Sequence, residues 1–116
     1  MARIEKFEDI IAWQKVQVLV LGIYKALKNC KDFSYRDQIQ RASISIMNNI
    51  AEGYERKGDK EFKHYLFIAK GSCSEVRSML IIADKLGYIS KDECGLYTDL
   101  TKEITKMLQV FISKLD

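Results

Sequence analysis

Four stretches of this chain carry apolar residues at steps of three and four, and only three short polar breaks separate them. This spacing places apolar side chains along one side of an α-helix. Because the 116 residues include no proline, nothing interrupts long helices. Similar lengths and short connections predict an all-α, antiparallel up-down-up-down four-helix bundle in a single domain, residues 1–116.

The ends of the predicted helices are marked by capping residues. Helix one is expected from about Phe7 to Asn29, and helix two to end near Tyr54 or Arg56. Helix two is expected to begin after Ser34 as N-cap, with Asp37 in its first turn, and helix three after Asp59. Gly87 should end helix three in a left-handed conformation, and "SKDE" (90–93) should form a capping box at the start of helix four.

Each predicted helix contributes one apolar stripe to the core. The residues expected to point inward are Ala12, Val16, Leu19, Val20, Ile23 and Leu27 in helix one; Ile39, Ala42, Ile46, Ile50 and Gly53 in helix two; Phe62, Leu66, Ala69, Cys73, Val76, Leu80 and Ala83 in helix three; and Tyr97, Leu100, Ile104, Leu108, Phe111 and Leu115 in helix four.

Helix three also carries a second apolar stripe on its opposite side, which a single bundle cannot bury. We therefore predict self-association through this side, in preference to a splayed bundle that would bury it internally. Helix four has a polar back, and helix one has only a weaker second stripe of Ile10, Val18 and Leu21. The interface residues expected on helix three are Ile68, Gly71, Met79, Ile82 and Leu86, with Ser78 beside them.

The segment "NNIAEG" (48–53) interrupts helix two with poor helix formers. Gly53 is expected to allow close packing, and Asn49 to need a hydrogen-bond partner. Asn48 and Glu52 should point outward in line with Arg41, as part of the subunit interface or, second, toward RNA. Glu52 and Arg41 are expected to pair along or across that interface.

No constellation for catalysis or metal binding is evident in the sequence. His64 is the only histidine, so Glu61-x-x-His64 supplies at most half of a di-iron motif. We expect no enzymatic activity, no catalytic residue, no metal and no cofactor. The nine uncharged residues from Val16 to Tyr24 fall short of the ~20 needed to cross a membrane. Three cysteines without a C-x-x-C pair, Cys30, Cys73 and Cys94, favour the cytoplasm.

Basic residues cluster at the predicted junction of helices two and three. Cations attract phosphates and nearby aromatic rings can stack on unpaired bases. The formal net charge is only +3, however, and Glu55, Asp59 and Glu61 are interleaved, which favours an ordinary solvated turn. The residues expected to contact RNA, if it binds, are Arg41, Arg56, Lys57 and Lys60.

Four segments carry a resemblance to a known family: "FEDIIAWQKV" (7–16), "QIQRASISIMNNIAEGYERKGDKEF" (38–62), "FIAKGSCSEV" (67–76) and "ADKLGYIS" (83–90). Together they resemble the 23S rRNA intervening-sequence proteins, also called the four-helix bundle protein family, which are bacterial. The resemblance implies an antiparallel four-helix bundle assembled as a ring-like homopentamer, no catalytic activity, and a suspected nucleic-acid-binding role.

Two positions depart from that family's pattern. Gln40 stands where an arginine is common, which weakens an RNA contact there. Met47 stands where proline is common, which predicts a straighter helix two. Two functions follow: an oligomeric RNA-binding or other nucleic-acid-binding protein, or a ring-shaped adaptor that binds other proteins, whose identity the sequence does not give.

Overall fold

The computed structural model describes residues 4–115. Four α-helices make up most of this part of the chain, and no strand occurs in it. A short 3-10 turn, Phe7–Asp9, comes first. The helices are α1 (Ile11–Ala26), α2 (Phe33–Glu55), α3 (Asp59–Lys85) and α4 (Lys91–Ser113).

The helices form a closed antiparallel bundle. Each packs against the next, and α1 also packs against α4. Lys15 near the start of α1 pairs with Glu103 in the second half of α4 at 3.6 Å. Gly22 further along α1 lies against the ring of Tyr97 near the start of α4. Because later residues of one helix meet earlier residues of the other, α1 and α4 run in opposite directions. The predicted all-α fold with antiparallel helices is confirmed.

The predicted core is confirmed in α1, α2 and α3, where every residue expected to point inward is buried. In α4 the core side is rotated from the predicted stripe. Thr101 and Ile112 are buried, whereas four expected core residues are only half-buried. Burial of the Thr101 hydroxyl costs little free energy because the hydroxyl donates a hydrogen bond to the Thr98 carbonyl oxygen at 2.6 Å. The half-buried residues are Tyr97, Leu100, Phe111 and Leu115.

The start of α1 differs from the prediction. The 3-10 turn is followed by Ile10, whose extended backbone separates the turn from α1. Ile10 therefore does not follow the helical period, and its side chain enters the core instead of lying on an outer stripe. The Gln14 amide donates to the Glu8 carbonyl oxygen at 2.9 Å and ties the turn to α1.

The predicted N-caps of α2 and α3 are wrong by one or two residues. Asp32, and not Ser34, caps α2: its carboxylate accepts from the Tyr35 backbone N–H at 3.2 Å and from the Tyr88 hydroxyl at 2.6 Å. This second bond, which sequence spacing does not reveal, holds Asp32 in place. At α3 the N-cap is Gly58 with φ of 95°, a conformation that favours glycine. Asp59 is the first helical residue, where its charge suits the helix dipole.

The ends between α3 and α4 are as predicted. Gly87 has φ of 78°, and its N–H donates to the Asp84 carbonyl oxygen. The Tyr88 N–H donates to the Ala83 carbonyl oxygen, which completes the hydrogen-bond pattern of a left-handed C-cap. The capping box of Ser90 and Glu93 is present in both directions.

Candidate assembly and nucleic-acid surfaces

The outer face of α3 exposes large apolar side chains along most of the helix. Ile68, Ile82 and Leu86 are between 39% and 52% exposed. Gly71 and Ser78 lie between them, also exposed, and a Cβ added at Gly71 would meet nothing within 4 Å. This face is therefore an open apolar surface with room for close approach by another backbone, as predicted from the second stripe.

Met79 does not belong to this face. The predicted interface included it, but its side chain is only 9% exposed. Tyr35 of α2 reaches α3 at this point, and its hydroxyl donates to the Met79 carbonyl oxygen at 2.6 Å. Met79 is thus buried in the bundle, because its position lies closer to the α2 side of α3 than the second stripe implied.

Two exposed apolar residues were missed by the sequence reasoning. Phe67 and Ile81 are 51% and 40% exposed and extend the outer face. Each follows a core residue in the sequence, so the core pattern accounted for them without an outer face. The spacing of seven residues from Phe67 through Ser74 to Ile81 is a helical pattern that could have predicted them. The outer face of α3 then comprises Phe67, Ile68, Gly71, Ser78, Ile81, Ile82 and Leu86, and it contains one carboxylate, Glu75.

The weaker stripe of α1 faces outward in part. Val18 and Leu21 are exposed, as predicted, whereas Ile10 is buried. Val18 lines a hollow between α1 and α4 together with Leu96. Glu103 and Lys106 also line it, so this second apolar surface is more mixed in charge than the outer face of α3.

Asn49 of "NNIAEG" belongs to a hydrogen-bonded link between α2 and α3 that runs through Ser45 and Ser72. The Asn49 side-chain amide donates to the Ser45 carbonyl oxygen at 2.8 Å and contacts the Ser45 hydroxyl at 3.0 Å. That hydroxyl lies 3.0 Å from the Ser72 hydroxyl on α3. The partner expected for the half-buried Asn49 is therefore present, and the link keeps α2 and α3 in register. Asn48 is exposed, as predicted.

Gly53 is the point of close approach between α2 and α3. A Cβ there would lie 2.6 Å from the Tyr65 Cβ and 3.0 Å from the Phe62 ring. Real Cβ atoms do not come so close, so any larger residue must push the two helices apart. The packing role predicted for Gly53 is confirmed.

Glu52, Arg56 and Tyr65 form a closed polar cluster at the same end of α2. The Arg56 guanidinium donates to the Glu52 carboxylate at 2.7 Å and to the Tyr65 hydroxyl at 2.9 Å. The Tyr65 hydroxyl donates to the same carboxylate at 3.2 Å. The hydrogen bond from Arg56, then that from Tyr65, lowers the pKa of the Glu52 carboxyl below its usual value.

This cluster corrects one predicted pair. Glu52 is exposed, but within the chain it pairs with Arg56 and not with Arg41. Pairing along the helix is excluded by distance, since the eleven helical steps from Arg41 to Glu52 span about 16 Å. A pair across a subunit interface stays a prediction.

The four residues predicted to contact RNA do not form one cluster. Arg56, Lys57 and Lys60 lie together at the α2–α3 turn and are exposed. Arg41 is fifteen residues back along α2 from Arg56, about 22 Å away. It lines a different hollow, of about 270 Å³, with Tyr24 of α1. Arg56 already binds a carboxylate, so the turn offers fewer free cations than its sequence indicates.

Other chemistry is sparse in residues 4–115. No three His, Cys, Asp or Glu side chains come together there in a way that could hold a metal ion. His64 is exposed and meets the ring of Tyr65 edge-on. Burial raises the pKa of the Cys73 thiol, which lies in the core with its sulfur donating to the Thr101 carbonyl oxygen. None of the helices described is long and apolar enough to cross a membrane.

Comparison with known proteins identifies the family. The family described as 23S rRNA-intervening sequence protein matches residues 8–110. The chain belongs to this family. The match includes α1, α2, α3 and most of α4, in agreement with the segments that carried the resemblance in the sequence.

A solved structure has the same fold as this member of the 23S rRNA-intervening sequence family. It is the crystal structure of a protein with unknown function from the S23 ribosomal protein family of Bacteroides thetaiotaomicron VPI-5482. The TM-score is 0.82 at 26% sequence identity, and the alignment covers 89% of this chain and 99% of the other. No curated protein matches the chain.

Proposed function

We propose that this protein is a non-enzymatic homo-oligomer that binds nucleic acid, RNA foremost, in the cytoplasm. The observation that carries the proposal is the outer face of α3, where large apolar side chains lie uncovered along a helix whose other side already fills the core. Surfaces of this kind typically mark protein contacts. A second copy is the partner proposed, and a ring-like homopentamer is the assembly expected for this family.

The nucleic-acid part of the proposal is supported by charge and by family. The chain carries +3, so five copies would carry +15 (five times +3), and repeated weak phosphate contacts would add through avidity. The family description refers to intervening sequences of 23S rRNA, and the similar solved structure comes from a family named for a ribosomal protein. Both descriptions favour RNA as the ligand.

A ring-shaped adaptor that binds other proteins is the second candidate. It is favoured by the α2–α3 turn, where Arg56 is held by Glu52 and Tyr65. Residues 52–64 include four basic and four acidic residues, so this turn attracts phosphate only weakly. The adaptor would use the same oligomer without a nucleic acid.

Recovery of the protein from its own cells at low salt separates the two functions. Sequencing of the co-purified nucleic acid and mass spectrometry of bound proteins are done on the same sample. The proposal predicts enriched RNA that is released as salt is raised. Protein partners that stay bound at high salt, with no nucleic acid above an untagged control, would favour the adaptor instead. A monomeric protein in that sample would contradict both.

A further inference from the structure

A second basic region of the chain lies where α1 meets α2, away from the α2–α3 turn. Between residues 24 and 41 the sequence has five basic and two acidic residues, against four and four between residues 52 and 64. The basic residues of this second region are Lys25, Lys28, Lys31, Arg36 and Arg41.

The two carboxylates of this region are occupied within the chain. Asp32 caps α2 and accepts a hydrogen bond from the Tyr88 hydroxyl. Asp37 pairs with Arg36 at 3.3 Å. Among residues 4–115, none of the other four cations forms an ion pair, so their charge is free to attract an anion.

Exposed aromatic rings accompany these cations. Phe33 is 59% exposed, and the Arg36 guanidinium lies over its ring at 4.8 Å. Tyr24 is 41% exposed and lines the hollow of about 270 Å³ that Arg41 and Asp37 also line. Since Arg36 contacts both Phe33 and Asp37, the two rings belong to one continuous surface.

We propose that this surface binds single-stranded nucleic acid. Its cations would contact phosphates, and its exposed rings would stack on unpaired bases, a combination typical of proteins that bind single strands. The inference rests on the proposed function, because it assigns the nucleic-acid partner to a site. We name it the α1–α2 basic surface, defined by Tyr24, Lys28, Lys31, Phe33, Arg36 and Arg41.

This position is compatible with assembly through α3. The α1–α2 basic surface involves no residue of α3, so both surfaces can be used at once. In an oligomer each copy would present one such site, and a long single strand could contact several of them.

The test compares two triple variants that each remove three cations. One, Lys28→Ala/Lys31→Ala/Arg41→Ala, alters the α1–α2 basic surface, and the other, Lys57→Ala/Lys60→Ala/Lys63→Ala, alters the α2–α3 turn. Binding of a fluorescein-labelled oligouridylate is followed by fluorescence anisotropy over a range of salt. The first variant should bind at least about tenfold more weakly, with a log–log salt slope reduced by about two units, and the second should stay within about twofold of the wild type.

Stacking is tested separately from charge. Tyr24→Ala should weaken RNA binding roughly 5- to 100-fold, and Tyr24→Trp should retain it, because every base can stack on an aromatic ring. Heparin, a polyanion without bases, should bind equally well to the wild type and to Tyr24→Ala. Gln40→Arg adds a cation beside Arg41 in the same hollow and should tighten RNA binding about three- to tenfold.

The outcomes distinguish the inference from the proposed function. If the wild type binds and only the turn variant loses affinity, or both variants lose it equally, the assigned surface is wrong and nucleic-acid binding stands. If the wild type does not bind oligouridylate, oligodeoxythymidylate or duplex RNA at low salt, the nucleic-acid function itself is wrong, and the inference with it.

Discussion

The outer faces of α3 and α4 differ sharply, although the two helices pack side by side and have 27 and 23 residues. Both bury one side in the same core. On α4 the outer face is mostly polar, with Leu96 and Val110 as its two large exposed apolar residues, whereas on α3 it is lined by Phe67, Ile68, Ile82 and Leu86. The exposed polar residues on this face of α4 include Asp99, Lys102, Lys106, Gln109 and Ser113.

This difference separates what the chain needs to fold from what it needs to assemble. A helix with one continuous apolar side, such as α4, buries most of its apolar residues within the chain. A helix with two, such as α3, leaves apolar area in water unless another molecule covers it. The two sides of α3 should therefore respond differently to substitution, the inner one in stability and the outer one in assembly.

The largest expected effect separates two adjacent residues of α3. Leu66 is fully buried, and Leu66→Ala should lower the free energy of unfolding by about 2–5 kcal/mol because it leaves a cavity. Phe67 is half exposed, and Phe67→Ala should leave the fold of the single chain intact while weakening assembly. Urea unfolding and light scattering measure the two quantities on the same samples.

An equal loss of stability in both variants would show that Phe67 contributes to the core, and the two-sided account of α3 would fail. Val110→Ala on α4 is a suitable control, since Val110 is also half exposed but adjoins the polar face. Val110→Ala should change neither the free energy of unfolding nor the mass of the assembly appreciably.

The next largest effect concerns two glycines, Gly53 in the close packing of α2 against α3 and Gly71 on the outer face of α3. Gly53→Ala should destabilise the chain by about 1–3 kcal/mol, because the added Cβ meets Tyr65 and Phe62 and this outweighs the better helix propensity of alanine. Gly71→Ala meets nothing and should raise the stability of the single chain by about 0.5–1 kcal/mol. If another backbone approaches Gly71 in the oligomer, the same change should weaken assembly. Thermal unfolding and analytical ultracentrifugation test both, and a stabilised Gly53→Ala would contradict the close packing seen here.

The smallest effect tests whether the assembly surface extends from α3 onto α2. The pKa of the Glu52 carboxyl is lowered in the folded chain, so its pair with Arg56 stabilises the fold. This contribution is fully present above the unfolded-state pKa of about 4.3. It is lost as the pH falls through the lower folded-state pKa, because the carboxylate then becomes protonated. Glu52→Gln should remove this small acid-dependent part of the stability, with the two proteins converging at low pH. The same variant should lower the mass of the oligomer only if Glu52 lies in the interface. A stability difference that grows on acidification would contradict the assigned pair.

Helical period alone predicts most of this fold. Residues such as Leu19, Ile46 and Val76 recur at steps of three and four because burial fixes one side of each helix, so the core of three helices follows from the pattern. The pattern fails where a contact distant in sequence decides the local structure. Asp32, for example, caps α2 with help from Tyr88, 56 residues away. The pattern also fails at Ile10, because the extended backbone of Ile10 itself breaks the helical period before α1.

The candidate surfaces were predictable only in part. The outer face of α3 is a periodic feature, so Ile68 and Ile82 could be placed from the sequence. Met79 could not, because the approach of Tyr35 depends on how α2 and α3 pack. The sequence also does not show which basic residues form ion pairs. Arg56 pairs with Glu52, whereas Arg41 has no partner among the ion pairs of residues 4–115.

The mass of the protein in solution tests the central claim, that the outer face of α3 joins copies of this chain. Multi-angle light scattering at micromolar concentration should give a multiple of the 13.5 kDa chain for the wild type and for the α4 control Lys102→Glu. Ile82→Glu places a charge on the apolar face and should give 13.5 kDa with unchanged helical circular dichroism. A wild-type protein of 13.5 kDa, or an Ile82→Glu variant that keeps the full mass of the oligomer, would contradict the claim.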